Sequence, residues 1–152
     1  HAFIMDHLHE HLKAYVRSRR LGITSTSGGR VRTTYGQVRD PDVVFLKPQR
    51  MTDLTQPSDG ADLVMEIVSE GHAHRRRDLE EKREEYAAAG IPEYWIVDPE
   101  QETITVLTLA AGASEYTEHG VFRPGQQATS VLLPDFAVEV AACFAAGKGP
   151  LS

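Results

Sequence analysis

Cysteine is nearly absent from this chain: Cys143 stands alone. An internal disulfide and a thiolate metal cluster are thereby excluded, and a reducing cytoplasm is the expected compartment. No apolar run nears the roughly 18–20 residues needed to span a bilayer, and no secretory leader opens the sequence, so no membrane partner is expected. Internal repeats, low-complexity segments and linkers are missing too. With 41% hydrophobic and 25% charged residues, 12 Gly and 8 Pro in 152 residues, the composition is that of one globular domain. A disordered tail, a collagen-like repeat and a coiled coil are excluded. There is no G-x-S-x-G, no P-loop and no G-x-G-x-x-G, so three common hydrolase and nucleotide signatures do not apply.

Acids are missing from one stretch. Between His11 and Arg39 stand seven basic residues (Lys13, Arg17, Arg19, Arg20, Arg30, Arg32 and Arg39) and no Asp or Glu. With two acids before it, the segment 1–39 carries +5. Residues 40–152, with nine basic and twenty acidic residues, carry −11, giving the net −6. A basic N-terminal segment on an acidic body can face phosphates, and ordinary solvated arginines are the competing explanation.

The periodicities describe an α/β domain. Ile4, Leu8, Leu12 and Tyr15/Val16 recur at helical spacing, which predicts an amphipathic helix ending before Gly22. Segments 23–27 and 30–35 read as strands joined at Gly28-Gly29 into a hairpin. Residues 42–46 form a short apolar strand after Asp40-Pro41, and 47–60 a loop rich in turn residues. A strand over 61–69, a helix over 72–89 stopped by Gly90 and Pro92, and a strand over 93–98 follow. A hairpin of 102–109 and 114–122 turns at Ala111-Gly112-Ala113, and the chain ends in an apolar stretch through Phe144. The expected architecture is a mixed sheet with helices packed on it.

Three residues break their local pattern. Glu66 sits in Leu63-Val64-Met65-Glu66-Ile67-Val68, a run apolar on both faces, as in a central strand covered on two sides. A carboxylate there must be paired, protonated or metal-bound, because an isolated buried charge is too costly. Lys82 falls on the stripe of Leu79, Tyr86 and Ala89, opposite Glu80, Glu81 and Glu84; a surface pair with Asp78 or a snorkelling stem is the bland alternative. Asp42 opens a strand directly after a proline, where a turn or cap role is common. Two acids on neighbouring strands with a lysine on the next helix can bind a hard cation such as Mg²⁺ and direct a water at a phosphate. The i, i+4 pair His7 and His11 lacks a third ligand and reads as solvated. Cys143, in an Ala-rich apolar end, reads as core.

These residues follow one another in a familiar order. Arg39-Asp40-Pro41-Asp42-Val43-Val44-Phe45 precedes Asp62-Leu63-Val64-Met65-Glu66-Ile67-Val68-Ser69. Arg77-Asp78 through Lys82 and Tyr86 comes next, then Ala89-Gly90-Ile91-Pro92-Glu93-Tyr94-Trp95-Ile96-Val97-Asp98-Pro99. The order resembles the Uma2 (DUF820) family, endonucleases of the PD-(D/E)XK restriction-endonuclease-like superfamily. The resemblance implies one restriction-endonuclease-like domain over residues 1–152 with an added C-terminal β-hairpin, and an N-terminal segment of relatives, bearing a Glu and a Gly, that is not in this sequence. It implies Asp42 as the acid of the Pro-Asp half-motif and Glu66 as the (D/E) position, with the Ile67 carbonyl as a further metal ligand. Val68 stands where the superfamily's lysine would be, and Lys82 matches the lysine that this family carries on the following helix. It further implies DNA as substrate, Mg²⁺ with Mn²⁺ as its substitute, and a homodimer, since nucleases often cut two strands with two sites. The expected function is Mg²⁺-dependent hydrolysis of DNA phosphodiester bonds by Asp42, Glu66 and Lys82, with Arg30, Arg32 and Arg39 facing nucleic acid. The alternative is a nuclease-fold domain of little or no activity that binds DNA or protein.

Overall fold

The helical apolar spacing at the start of the chain produces α1, Ala2–Arg19, with Ile4, Leu8, Leu12, Tyr15 and Val16 all buried. The computed structural model describes residues 1–26, 29–69 and 71–149, and the backbone alone at Tyr35 and 72–74. After α1 come β1 (Ile23–Ser25), β2 (Val31–Arg32), β3 (Val38–Arg39), β4 (Val43–Leu46), β5 (Ser58–Asp59) and β6 (Leu63–Ile67). Helix α2 (His72–Ala88) leads to β7 (Glu93–Asp98), β8 (Thr103–Thr108) and β9 (Thr117–Phe122). β10 (Gln127–Thr129), β11 (Ala137–Glu139) and α3 (Val140–Ala146) complete the chain.

Six strands form the main sheet in the order β1-β4-β6-β7-β8-β9. All pairs are antiparallel except β6 and β7, whose parallel pairing is bridged by α2 as a βαβ crossover. This is the mixed sheet flanked by helices that the sequence predicts, and the β8–β9 hairpin is the predicted one. β2, β3 and β5 make a small separate sheet, as do β10 and β11.

The hairpin expected at Gly28-Gly29 is a correction. β1 pairs with β4, and β2 with β3 and β5; Ser27 and Gly28 lie outside the described residues. A glycine pair between alternating runs is a local signal, and β1 answers to a strand twenty residues further on. Gly22 permits that pairing: its φ is +152°, and a Cβ would stand 2.0 Å from the Leu46 carbonyl oxygen.

The sheet separates two apolar cores. Leu63, Met65 and Ile67 of β6 face α1 and the C-terminal elements, with Trp95, Phe136, Cys143 and Phe144. Val64 faces the other way, among Tyr86, Ala87, Ile91, Tyr94 and Tyr116. This alternation makes β6 buried on both sides, as its composition predicts. Cys143 is core, and burial pushes its thiol up to about 12. Glu93 is fully buried on the α1 side. Its carboxylate accepts from Trp95 Nε1 (2.8 Å), Ser130 Oγ (2.6 Å) and the N–H groups of Val131 and Leu132 (both 2.9 Å), tying the C-terminal turn to β7. Among the described residues no helix is long and apolar enough to cross a membrane.

Candidate functional site

β4 and β6 pair with Val43 opposite Met65, which places Asp42, one residue before β4, beside Glu66. Pro41, buried, fixes the entry to the strand. Asp42 Oδ2 accepts the Ile67 N–H at 2.7 Å, so the end of one strand is tied to the end of the other through a carboxylate. On its outer side, Asp42 Oδ1 lies 3.6 Å from His1 Nε2.

Glu66 has only 8% of its side chain exposed, and both oxygens are engaged. Lys82 Nζ donates to Oε2 at 3.1 Å and the Tyr86 hydroxyl donates to Oε1 at 2.7 Å. Lys82 and Tyr86 are four apart on α2, one turn above the other, and so reach the same carboxylate. Lys82 Nζ also lies 3.3 Å from Asp78 Oδ2, one turn earlier. The pairing demanded by a buried acid is therefore supplied by the helix that connects β6 to β7.

Helix α2 reaches this position through charges on either side of Lys82. Arg75 pairs with Asp98 at the end of β7 and with Glu100 at 3.0 Å. Asp98 also caps the turn after β7 through the N–H groups of Glu100 and Gln101. Toward the other end, Glu85 receives the Arg39 guanidinium in a two-pronged pair, both bonds 2.7 Å, and the Thr33 hydroxyl at 2.9 Å.

Burial dominates the protonation of the acids. It raises Glu66 to about 7 against the pull of Lys82 and Tyr86, with Asp42 adding to the rise. Asp42 is raised by burial, partly offset by the Ile67 N–H and Lys82. Burial alone would lower the Lys82 ammonium, but Glu66 and Asp78 together hold it above its ordinary value. Desolvation followed by the nearby Glu66 charge raises Tyr86 as well, so it stays a neutral donor. Carboxyls displaced upward by burial gain from a nearby cation. Ser69, Arg77, Asp78, Glu81 and Lys82 line an open cleft of about 480 Å³ at this edge.

Of the residues singled out in the sequence, Asp42, Glu66, Ile67 and Lys82 are brought together. Arg30, Arg32 and Arg39 lie at the small β2-β3-β5 sheet instead. There Arg32 pairs with Asp59 at 2.5 Å and Arg39 with Glu85. His1 and the bond from Tyr86 to Glu66 were not legible in the sequence. Tyr86 reads as core because its ring is; the available signal was a polar tip one turn beyond Lys82 on the buried stripe.

Compared with protein families, residues 1–141 match the Uma2 model, described as "Putative restriction endonuclease". The chain belongs to the Uma2 family. Among solved structures, one described as a "putative nuclease belonging to DUF820" from Anabaena variabilis ATCC 29413 superimposes with a TM-score of 0.70. It shares 15% identity over 96% of this chain and 80% of its own, a likeness of fold. No curated protein matches. Family and fold agree with the architecture predicted from the motif order.

Proposed function

We propose that this Uma2 protein is a Mg²⁺-dependent endonuclease that hydrolyses DNA phosphodiester bonds at the Asp42–Glu66–Lys82 cluster. The observation that carries the reading is the convergence itself. Two carboxylates from the adjacent strand ends of β4 and β6 and an ammonium from α2, the helix that follows β6, meet beside the open cleft that Lys82 lines, where burial leaves the acids in want of a cation. The donor chemistry fits a hard dication. No group of three His, Cys, Asp or Glu side chains forms a metal cage among the described residues. Two carboxylates with the Ile67 carbonyl as a third donor suit Mg²⁺, or Mn²⁺ in its place, which keeps several waters. When bound, such an ion supplies Lewis acidity toward a phosphoryl oxygen and a water of lowered pKa.

The chain's own groups do the rest. Asp42 is fixed by the Ile67 N–H and Glu66 by Tyr86, so the carboxylates are oriented before a ligand arrives, which lowers the cost of assembling the site. Lys82 holds its ammonium at the mouth of the cleft, where it orients the attacking water and stabilises charge on the phosphate. In the net reaction the hydroxyl of water bonds to phosphorus, the bond to the leaving deoxyribose oxygen breaks, and the remaining proton of that water ends on the leaving oxygen. Arg30 and Arg32, at the small sheet, are the proposed sequence-independent phosphate contacts; Arg39 is committed to Glu85.

A second reading draws on one observation: both Glu66 oxygens already have partners within the chain, as in a structural ion pair. A nuclease fold that binds DNA or protein without cutting would look the same. Plasmid nicking with Mg²⁺ or Mn²⁺, beside EDTA and Glu66→Ala controls, separates the two. Cation-dependent nicking lost in Glu66→Ala is expected; equal product from wild type and Glu66→Ala would end the enzymatic reading.

A further inference from the structure

We infer that Asp78 is a positioning residue that keeps the Lys82 ammonium at the cleft when a cation occupies Glu66, an inference that rests on Glu66 being a cation ligand. An ammonium has three N–H donors. One points to Glu66 Oε2 at 3.1 Å and another finds Asp78 Oδ2 at 3.3 Å. Glu66 is held on its other oxygen by Tyr86, whose side chain is fully buried. Lys82 is therefore the partner that gives way when an oxygen of Glu66 turns to another ligand.

At that moment the lysine loses its buried counter-ion and gains a like-charged neighbour. Left with no other acid, its flexible four-carbon stem would carry the ammonium out to solvent. Asp78 prevents this because it belongs to the same helix as Lys82, at the i, i+4 spacing that keeps the two side chains adjacent whatever binds at the strand ends. Its carboxylate is 41% exposed and lines the cleft with Lys82, Ser69, Arg77 and Glu81. The pair is on the open side of the site, where a substrate phosphate arrives. What reads in the sequence as an ordinary surface pair is a second hold on the ammonium, already in place while Glu66 binds it and the main one when Glu66 turns to a cation.

The test reads the lysine directly. Acetylation of Lys82 by an N-hydroxysuccinimide ester, followed residue by residue by mass spectrometry, reports how well the amine is held. Wild type should stay slow with or without millimolar Mg²⁺. Asp78→Asn should be slow without Mg²⁺, through Glu66, and about tenfold faster with it. Asp78→Glu should restore protection. The double variant Glu66→Gln/Asp78→Asn should be fast in both conditions, and Glu66→Gln alone slow. A slow double variant would overturn the role of Asp78, since neither acid would then be holding the lysine. A fast double variant with no Mg²⁺ effect in Asp78→Asn would instead remove Glu66 as the cation ligand, and with it the handover. Where cleavage is measurable, Asp78→Asn should lower kcat about tenfold to a hundredfold at constant KM. It should add nothing in a Lys82→Ala background; an undiminished effect there would also contradict the inference.

Discussion

Helix α1 meets the sheet through Ile4, Leu8, Leu12, Tyr15 and Val16, all buried, whereas α2, of nearly equal length, buries among its described side chains only Tyr86 and Ala87 and docks chiefly through ions. Arg75 with Asp98, Lys82 with Glu66 and Glu85 with Arg39 place charge contacts along its length. Apolar burial is non-directional and contributes most of the free energy. Partly buried ion pairs contribute little net stability, because desolvation offsets attraction, but they fix position and orientation. The two helices divide labour accordingly: α1 holds the fold together, and α2 delivers an ammonium and a phenol to one carboxylate.

The largest effect should fall on α1. Leu8→Ala removes a fully buried side chain and should cost about 2–5 kcal/mol in urea unfolding, unchanged by added salt. A loss below about 1 kcal/mol would mean that α1 is not the chief apolar anchor.

The next effect belongs to Glu66 and has a sign. Burial raises its folded-state value to about 7 from an ordinary carboxylate near 4.5, so between those values the folded protein binds more protons than the unfolded chain. Stability of the metal-free protein should then fall as pH rises from about 4.5 to 7, by on the order of 3 kcal/mol from this group. Glu66→Gln should flatten that part of the pH–stability curve and be relatively more stable above it. Parallel curves for the two proteins would contradict the assignment.

Smaller still is the response of the charges that seat α2. Arg39→Ala leaves Glu85 with Thr33 alone and should cost about 1 kcal/mol, less at high salt. Arg76→Ala, which breaks an exposed i, i+4 pair with Glu80, should be indistinguishable from wild type by the same melts. Equal losses in the two variants would deny Arg39 its seating role.

The same contrast explains how much could be read from sequence. Helix α1 announces itself by period alone, and β7, Glu93–Asp98, is bounded where its β-branched and aromatic run meets Gly90-Ile91-Pro92 and Asp98-Pro99. Glu66 and Lys82 were visible because each is a charge in an apolar pattern, and a buried charge needs a partner. Apart from the i, i+4 pair of Lys82 with Asp78, which partners they have was not visible. Contacts such as Tyr86 to Glu66, Asp42 to the Ile67 N–H, or Arg39 to Glu85 join positions 20, 25 and 46 residues apart, and no local rule encodes them. The strands β3, β5, β10 and β11 escaped notice for a related reason. At two or three residues each they are too short to show a period, and their pairing is decided by the chain folding over them.

Calorimetric titration of Mn²⁺ into the metal-free protein near neutral pH asks, without requiring catalysis, whether Asp42 and Glu66 form one cation site. Wild type should bind with an enthalpy that varies with buffer, because Glu66, raised by burial to about 7, releases its proton as the ion enters. Asp42→Asn and Glu66→Gln should each abolish that binding while keeping the wild-type circular dichroism. Unchanged Mn²⁺ affinity in both folded variants would rule out a cation site shared by Asp42 and Glu66.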